Sequence, residues 1–326
     1  MKEFTERTLK SDKRMHRMTG LNLTQFLTLT QALKLVWKKD EEERMLQCPR
    51  KRAPGAGRPS GFKIEDMLLL TLIYYRHYIV QELIAEFFVT DQSSISRIIS
   101  RLQPLIEEAA DPMLKGFFDR WKAENKDKPR VSREEFKQNQ PELWQIATDA
   151  TDTEINRPGK NTIQKQYYSG KRKTHSIKTQ ITVSVLTERI LHVSESHPGS
   201  VHDKTVLDSD GIIQKTSEQT AHFLDLGYQG VVDEHPAHYL ILPPKKRPQK
   251  ELSTLDKEVR KATARIRVKS EHGIRRIKIY RICSSVYRGR LPKFNQAFRN
   301  VAALHNFKLA NPASIITKKA QSCFFN

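Results

Sequence analysis

The sequence predicts an α/β fold in which a mixed sheet is flanked by helices and preceded by an all-α unit. Three observations lead there. Residues 22–47 and 63–110 place apolar side chains at helical spacing, residues 141–243 break into short runs of strand character, and residues 252–309 return to the helical period. Strands set among helices in this order read as a sheet that helices cover.

Length and charge bound the function. At 326 residues the chain can form one substantial core and a smaller accessory domain, at about 100 to 200 residues per domain. Its 57 Lys and Arg against 37 Asp and Glu give a formal net charge of +20. That balance favours a polyanionic partner through phosphate contacts and counterion release, nucleic acid before anionic membrane. No stretch approaches the roughly 18 consecutive apolar residues of a spanning helix, and the most apolar run, Met67 to Tyr75, suits a core helix. MKEFTERTLKSDKR at the start carries acids and no apolar run, unlike a secretory signal. A cytoplasmic protein without a membrane partner is expected. Cys48, Cys283 and Cys323 are few, odd in number and widely spaced, which argues against a disulfide framework and a zinc cluster.

The first element is an amphipathic helix over 22–47, with Leu23, Phe26, Leu27, Leu29, Leu33, Leu35 and Val36 on a face that needs a partner, within the chain or on a second copy. Residues 48–61, CPRKRAPGAGRPSG, sustain neither regular period and read as a linker or phosphate-contacting arm. Three helices follow, over Ile64–Tyr78, Val80–Phe88 and Ser93–Leu102, with VTDQSS supplying the turn and N-cap before the last. The final pair fits a helix-turn-helix whose second helix enters the major groove and presents Ser93, Ser94, Arg97 and Arg101 to DNA. The expected division is 1–61 N-terminal helix and basic linker, 62–115 helix-turn-helix, 116–140 linker, 141–310 α/β domain and 311–326 tail.

Strands begin with ELWQIATDATDTEI, whose apolar run ends at Asp149. HSIKTQITVSVL and, after a turn at Thr187 and Glu188, RILHVSES complete an antiparallel meander. A helix to about Leu207 is followed by a short strand in AHFLDLGYQG, which carries Asp225 and stops by Gly227, and by another in LILPP. A long basic helix from Leu252 to Arg281 carries Glu271, and a last amphipathic helix covers Lys293–Leu309.

Asp149 and Asp225 end apolar runs that can lie side by side in one sheet, and Glu271 sits on a helix that can pack across it. Carboxylates so placed suit hard, oxygen-seeking divalent cations, a pair of which clamps the attacking and leaving oxygens of an in-line displacement. Asp152 is the nearby rival of Asp149, which is preferred because it directly follows QIAT. Asp203, in GSVHDK, is a rival for a supporting role or an N-terminal helical carboxylate. His202 and His272 could orient a carboxylate or contact phosphate but read more simply as structural, and Tyr228 and Gln229, which follow the second acid, stand near the mouth of the site or serve packing. Lys171, Arg172 and Lys173 follow two tyrosines in YYSGKRKTH, a stretch suited to stacking and phosphate neutralisation. Around Glu271, Arg265, Arg267, Lys269, Arg275, Arg276 and Lys278 can offset repulsion between DNA and an acidic cluster.

DATD, YYSGKRKTHSIKTQ, LDLGYQG and SEHGIRRIKIYRI, in this order, resemble the motifs of bacterial insertion-sequence transposases of the DDE superfamily, particularly the insertion sequence five group. The resemblance covers about residues 141–310. It implies a ribonuclease H-like catalytic fold with Asp149, Asp225 and Glu271 as catalytic and metal-binding acids. Here Asp149-Ala150-Thr151 stands where the family commonly has Asp-Gly-Thr or Asp-Val-Thr. It further implies two magnesium ions (manganese possible), DNA partners in the form of element ends and target, chains paired on DNA, and a nucleoid-associated location in a bacterial cytoplasm. The alternative is an element-derived DNA-binding protein without nuclease activity.

Overall fold

The computed structural model describes residues 2–47, 61–129, 131–245 and 252–312. The proposed basic arm, apart from Gly61, lies outside the described residues, as do Cys48, Cys323 and all but the first two residues of the tail.

Six helices form the N-terminal unit: α1 (Lys2–Leu9), α2 (Asp12–Thr19), α3 (Leu23–Gln47), α4 (Ile64–His77), α5 (Gln81–Phe88) and α6 (Gln92–Ala110). α2 starts on Ser11, whose hydroxyl accepts the Arg14 amide, and stops at Gly20, where φ is 81°. α3 has the expected span and buries Leu23, Phe26, Leu29 and Leu33. It packs on α6 and α4, so this chain covers most of the apolar stripe itself, while Leu35 and Leu46 stay exposed. Asp91 caps α6 by accepting the Ser94 amide.

α6 is longer than its sequence pattern suggested. It passes Leu102, carries Pro104 internally and ends at Ala110. Ile95, Ile99, Leu102, Leu105 and Ile106 keep one buried stripe throughout, and this packing outweighs the local cost of a proline.

Residues 116–140 are likewise not a bare linker. α7 (Phe117–Asn125) and α8 (Arg133–Asn139) lead into the short α9 (Pro141–Trp144), and Phe118, Phe136 and Leu143 are buried. Three large side chains in an otherwise polar stretch suffice to dock these helices.

The sheet contains β1 (Gln145–Glu154), then, after α10 (Asn161–Tyr167), β2 (Tyr168–Ser169), β3 (Thr174–Ser184), β4 (Ile190–Val193) and β5 (His197–Pro198). After α11 (Asp203–Asp210) and α12 (Ile212–Lys215) come β6 (Ala221–Phe223), α13 (Val231–Glu234) and β7 (Tyr239–Ile241). The strand order is β2-β3-β1-β6-β7, with β4 and β5 also on β3. β1, β3 and β4 form the expected antiparallel meander, whereas β1–β6 and β6–β7 are parallel. The chain ends in α14 (Thr254–Lys278) and α15 (Phe294–Ala310). The outcome is the expected α/β architecture, a mixed sheet flanked by helices.

Alternation along the strands separates two cores. Ala147, Ile181, Val183 and Phe223 join the core shared with the helices of the N-terminal unit and α15. Ile146, Leu191, Leu224 and Tyr228 join Phe118, Phe136 and Leu207 in the other. The first core crosses the boundary between the two domains, and buried polar contacts lock it. Asn300 of α15 donates to the Tyr75 hydroxyl and the Gln103 carbonyl at 2.8 Å each. Arg299 meets Glu107 at 3.2 Å, and Asn306 donates to Asp111 at 2.7 Å. No helix among the described residues is long and apolar enough to cross a membrane.

Candidate active site

Strand register brings the two aspartates level. Ala147 of β1 faces Phe223 of β6 across a parallel pair, so Asp149 and Asp225, each two residues further on, lie at the same height. Ala147 and Phe223 share one core, and two residues on the side chain returns to the same face. β6 stops just before Asp225, which caps the tight turn Leu226–Tyr228 by accepting the Leu226 amide. Asp149 differs from its expected place at a strand end. β1 continues to Glu154 against β3, with Asp149 opposite Ile181, because Thr151 and Thr153 are buried β-branched residues that extend the strand.

α14 closes this face. Gly273 lies over β3, where a Cβ would come within 3.2 Å of both Ile181 and Val183, so the close approach depends on the missing side chain. Two residues earlier is Glu271, and one turn before that Arg267. Arg267 pairs with Asp225 at 3.3 Å. Burial pushes the Asp149 carboxyl up to about 6; its own Ala150 amide and Arg267 oppose the shift, and the charges of Asp225 and Glu271 add to it. Asp225 and Glu271 therefore both lie within electrostatic reach of Asp149, with Asp149 shielded, Asp225 half-exposed and Glu271 exposed.

The two rivals have other partners. Asp152 projects to the opposite face of β1 by alternation, 3.7 Å from Arg172, while its carbonyl accepts the Lys278 ammonium at 2.9 Å. Asp203 opens α11 and pairs with Lys178 at 2.7 Å, and its carboxylate lies beside Gly227, two residues past Asp225. His202 is the N-cap of that helix. Tyr228 is buried, donates to Gln180 at 2.9 Å, and has its phenol raised well above the usual range by that burial. Lys178 and Gly273 were not singled out from the sequence, although a glycine inside a long basic helix is a signal of close packing.

Among the basic residues, Lys171, Arg172 and Lys173 form the exposed turn between β2 and β3, and Arg275 is exposed on α14. Arg276 is held by Glu188 at 3.2 Å, and Lys278 is half-buried on Asp152. On α6, Ser93 and Ser94 both donate hydroxyls to Asp91, and Arg97 donates to Ser93 at 2.8 Å on the exposed side. Arg101 departs from expectation. Its guanidinium lies 4.7 Å from the Trp37 ring and 2.6 Å from Asp40, which commits it to the α3–α6 contact instead of DNA.

The donor set of Asp149, Asp225 and Glu271 is all carboxylate oxygen, the chemistry a hard divalent cation takes. Another group, Asp208, Glu234 and His235, has ligand atoms within 4.8 Å of one another, but Lys204 already bridges its two acids at 2.9 and 2.7 Å. A cavity of about 690 Å³ opens between α7, α8 and α12, among residues of the other core's side.

Comparison with known proteins agrees with this arrangement. Residues 148–306 match the family described as DDE superfamily endonuclease, and residues 63–112 match the helix-turn-helix of DDE superfamily endonuclease. The two matched segments are thus similar, in chain order, to the helix-turn-helix and the catalytic part of DDE superfamily endonucleases. It is 29% identical over 310 residues to a protein described as probable transposase for insertion sequence element IS702 of Microchaete diplosiphon, covering 95% of this chain and 97% of that one. No solved structure matches the chain.

Proposed function

We propose that this chain is a transposase of the insertion sequence five group, which binds the terminal inverted repeats of its element through α6 and cleaves and joins DNA strands at Asp149, Asp225 and Glu271. The observation that carries this reading is the parallel β1–β6 register, which levels Asp149 within β1 and Asp225 just past the end of β6, with α14 laid across the sheet. The three carboxylates would hold two magnesium or manganese ions, which when bound supply Lewis-acid stabilisation of the attacking and leaving oxygens. The chain's own residues position the substrate. Lys171, Arg172, Lys173 and Arg275 take phosphates near the cut, Arg267 offsets the charge of Asp225, and Ser93, Ser94 and Arg97 face the groove. Two or more copies pair on the element ends before joining them to target DNA.

The test is nicking of a duplex carrying the gene's own flanking sequence, with magnesium and with chelator. Cleavage that needs the metal and disappears in Asp149→Asn supports the reading. Specific binding with no cleavage under any divalent cation would establish the alternative, a DNA-binding derivative without nuclease activity.

A further inference from the structure

From His272 to the last residue the sequence contains no Asp or Glu and eleven Lys and Arg. The connector between α14 and α15 is the exposed part of that stretch nearest the helix-turn-helix. Arg288, Arg290 and Lys293 are all exposed, and no carboxylate pairs with them among the described residues.

The connector is anchored at both ends. At one end, Tyr287 donates its amide to the Glu154 carbonyl at 2.7 Å and bridges Ile155, just past the strand that carries Asp149. The Tyr287 ring stacks on Tyr78 at the end of α4, centroids 6.0 Å apart and planes within 3°. Arg288 lies over the other ring of this stack, 4.6 Å from the Tyr78 centroid, and donates to the Tyr78 carbonyl. Gly289 allows the sharp fold, because a Cβ there would come within 2.5 Å of the Tyr287 hydroxyl. At the other end, Lys293 donates to the Ser100 hydroxyl at 3.0 Å. Ser93, Arg97 and Ser100 form the exposed edge of α6 at helical spacing.

We infer that the connector over residues 284–293 is a DNA-backbone contact bridging the recognition helix and the carboxylates, with Arg288, Arg290 and Lys293 taking phosphates of the intervening duplex. The inference rests on the DNA-cleaving reading above and adds the path between its two ends. The six residue steps from Asp149 to Ile155 cover about 20 Å of strand, which is about six base pairs of duplex at ~3.4 Å each. Anchoring by stacked tyrosines holds the cations in place before DNA arrives, so little side-chain and loop freedom is lost on binding.

The experiment measures the salt dependence of binding to a long random-sequence duplex, using the full chain. Each lost phosphate contact lowers the slope of log affinity against log salt by about 0.9. Arg290→Gln with Lys293→Gln should lower it by about two such steps, and Arg290→Lys with Lys293→Arg should restore it. Lys122→Gln with Lys126→Gln, on α7 and at its C-cap across the sheet, should leave it unchanged. Matching melting temperatures show that each variant folds. An unchanged slope in the Gln pair, while wild type binds, overturns this inference alone. A wild type that binds no duplex overturns it together with the DNA-cleaving reading.

Discussion

Arg267 and Asp225 meet at 3.3 Å, in the gap between α14 and the end of β6. The pair places a fixed cation beside one of three acids whose mutual repulsion would otherwise grow as DNA approaches. It also joins the helix to the sheet at the point where the proposed chemistry takes place.

Neutralising any of the three acids should separate cutting from holding. Asp149→Asn, Asp225→Asn and Glu271→Gln should each abolish metal-dependent nicking and leave duplex affinity equal or higher, since a negative charge near phosphate is gone. Asp152→Asn should keep cleavage. Gel assays of nicking and binding on the same preparations check this, and loss of cleavage in Asp152→Asn with retention in Asp149→Asn would transfer the role to Asp152.

The raised Asp149 carboxyl has a consequence for stability in chelator. Its folded value, about 6, lies above the ordinary 3.8, so the folded state holds the proton more tightly than the unfolded chain. The associated stability is fully present below about pH 4 and is lost as pH rises through about 6. Asp149→Asn should therefore stabilise the metal-free protein at neutral pH by up to about 3 kcal/mol, with the gain vanishing near pH 4. Denaturant unfolding across this range reads it directly, and a gain that is flat with pH would contradict the assignment.

Arginines one turn apart on α6 should behave differently. Arg97→Ala should lower the ratio of specific to random duplex affinity, because the side chain stands on the exposed edge. Arg101→Ala should instead cost about 1 kcal/mol of stability through loss of its Trp37 and Asp40 contacts. Competition binding and thermal melts distinguish the two, and equal effects on both measurements would remove the distinction.

Gly273→Leu tests the closeness of α14 to the sheet. With both Ile181 and Val183 within 3.2 Å of a single added carbon, a larger side chain must lift the helix. A loss of about 1–3 kcal/mol is expected, with nicking reduced more than binding because Glu271 moves with the backbone. Unchanged nicking in a folded Gly273→Leu protein would show that Glu271 is not positioned by this contact.

The local pattern carried much of this architecture. Leucine spacing set out α3, α4, α5 and the first half of α6 but not α1 or α2, and alternation gave the meander that carries Asp149. What it did not carry was long-range pairing. The parallel register that levels Asp149 with Asp225 joins strands some 70 residues apart and leaves no local trace. α7 and α8 were missed because Phe117, Phe118, Trp121 and Phe136 are set in a stretch dominated by charged residues, too short in each helix to establish a period. α6 runs past Leu102 and through Pro104 because its buried stripe continues to Ile106 and packs on α15, a partner distant in sequence. Arg101 was misplaced for the same reason, since Trp37 and Asp40 approach it from another helix.

α6 is a single rod whose outer turns carry Ser93 and Arg97 and whose inner turns are clamped by Asn300, Arg299 and Asn306. From Arg97 to Glu107 it rises about 15 Å as one helix that runs through Pro104. On the proposed reading, a duplex gripped by its outer turns would meet the carboxylates at one offset, as against a caliper jaw. Cleavage position would then be a length measured by the protein: inserting a base pair between the recognised sequence and the element end should move the cut within the element's sequence while its distance from the gripped bases stays constant.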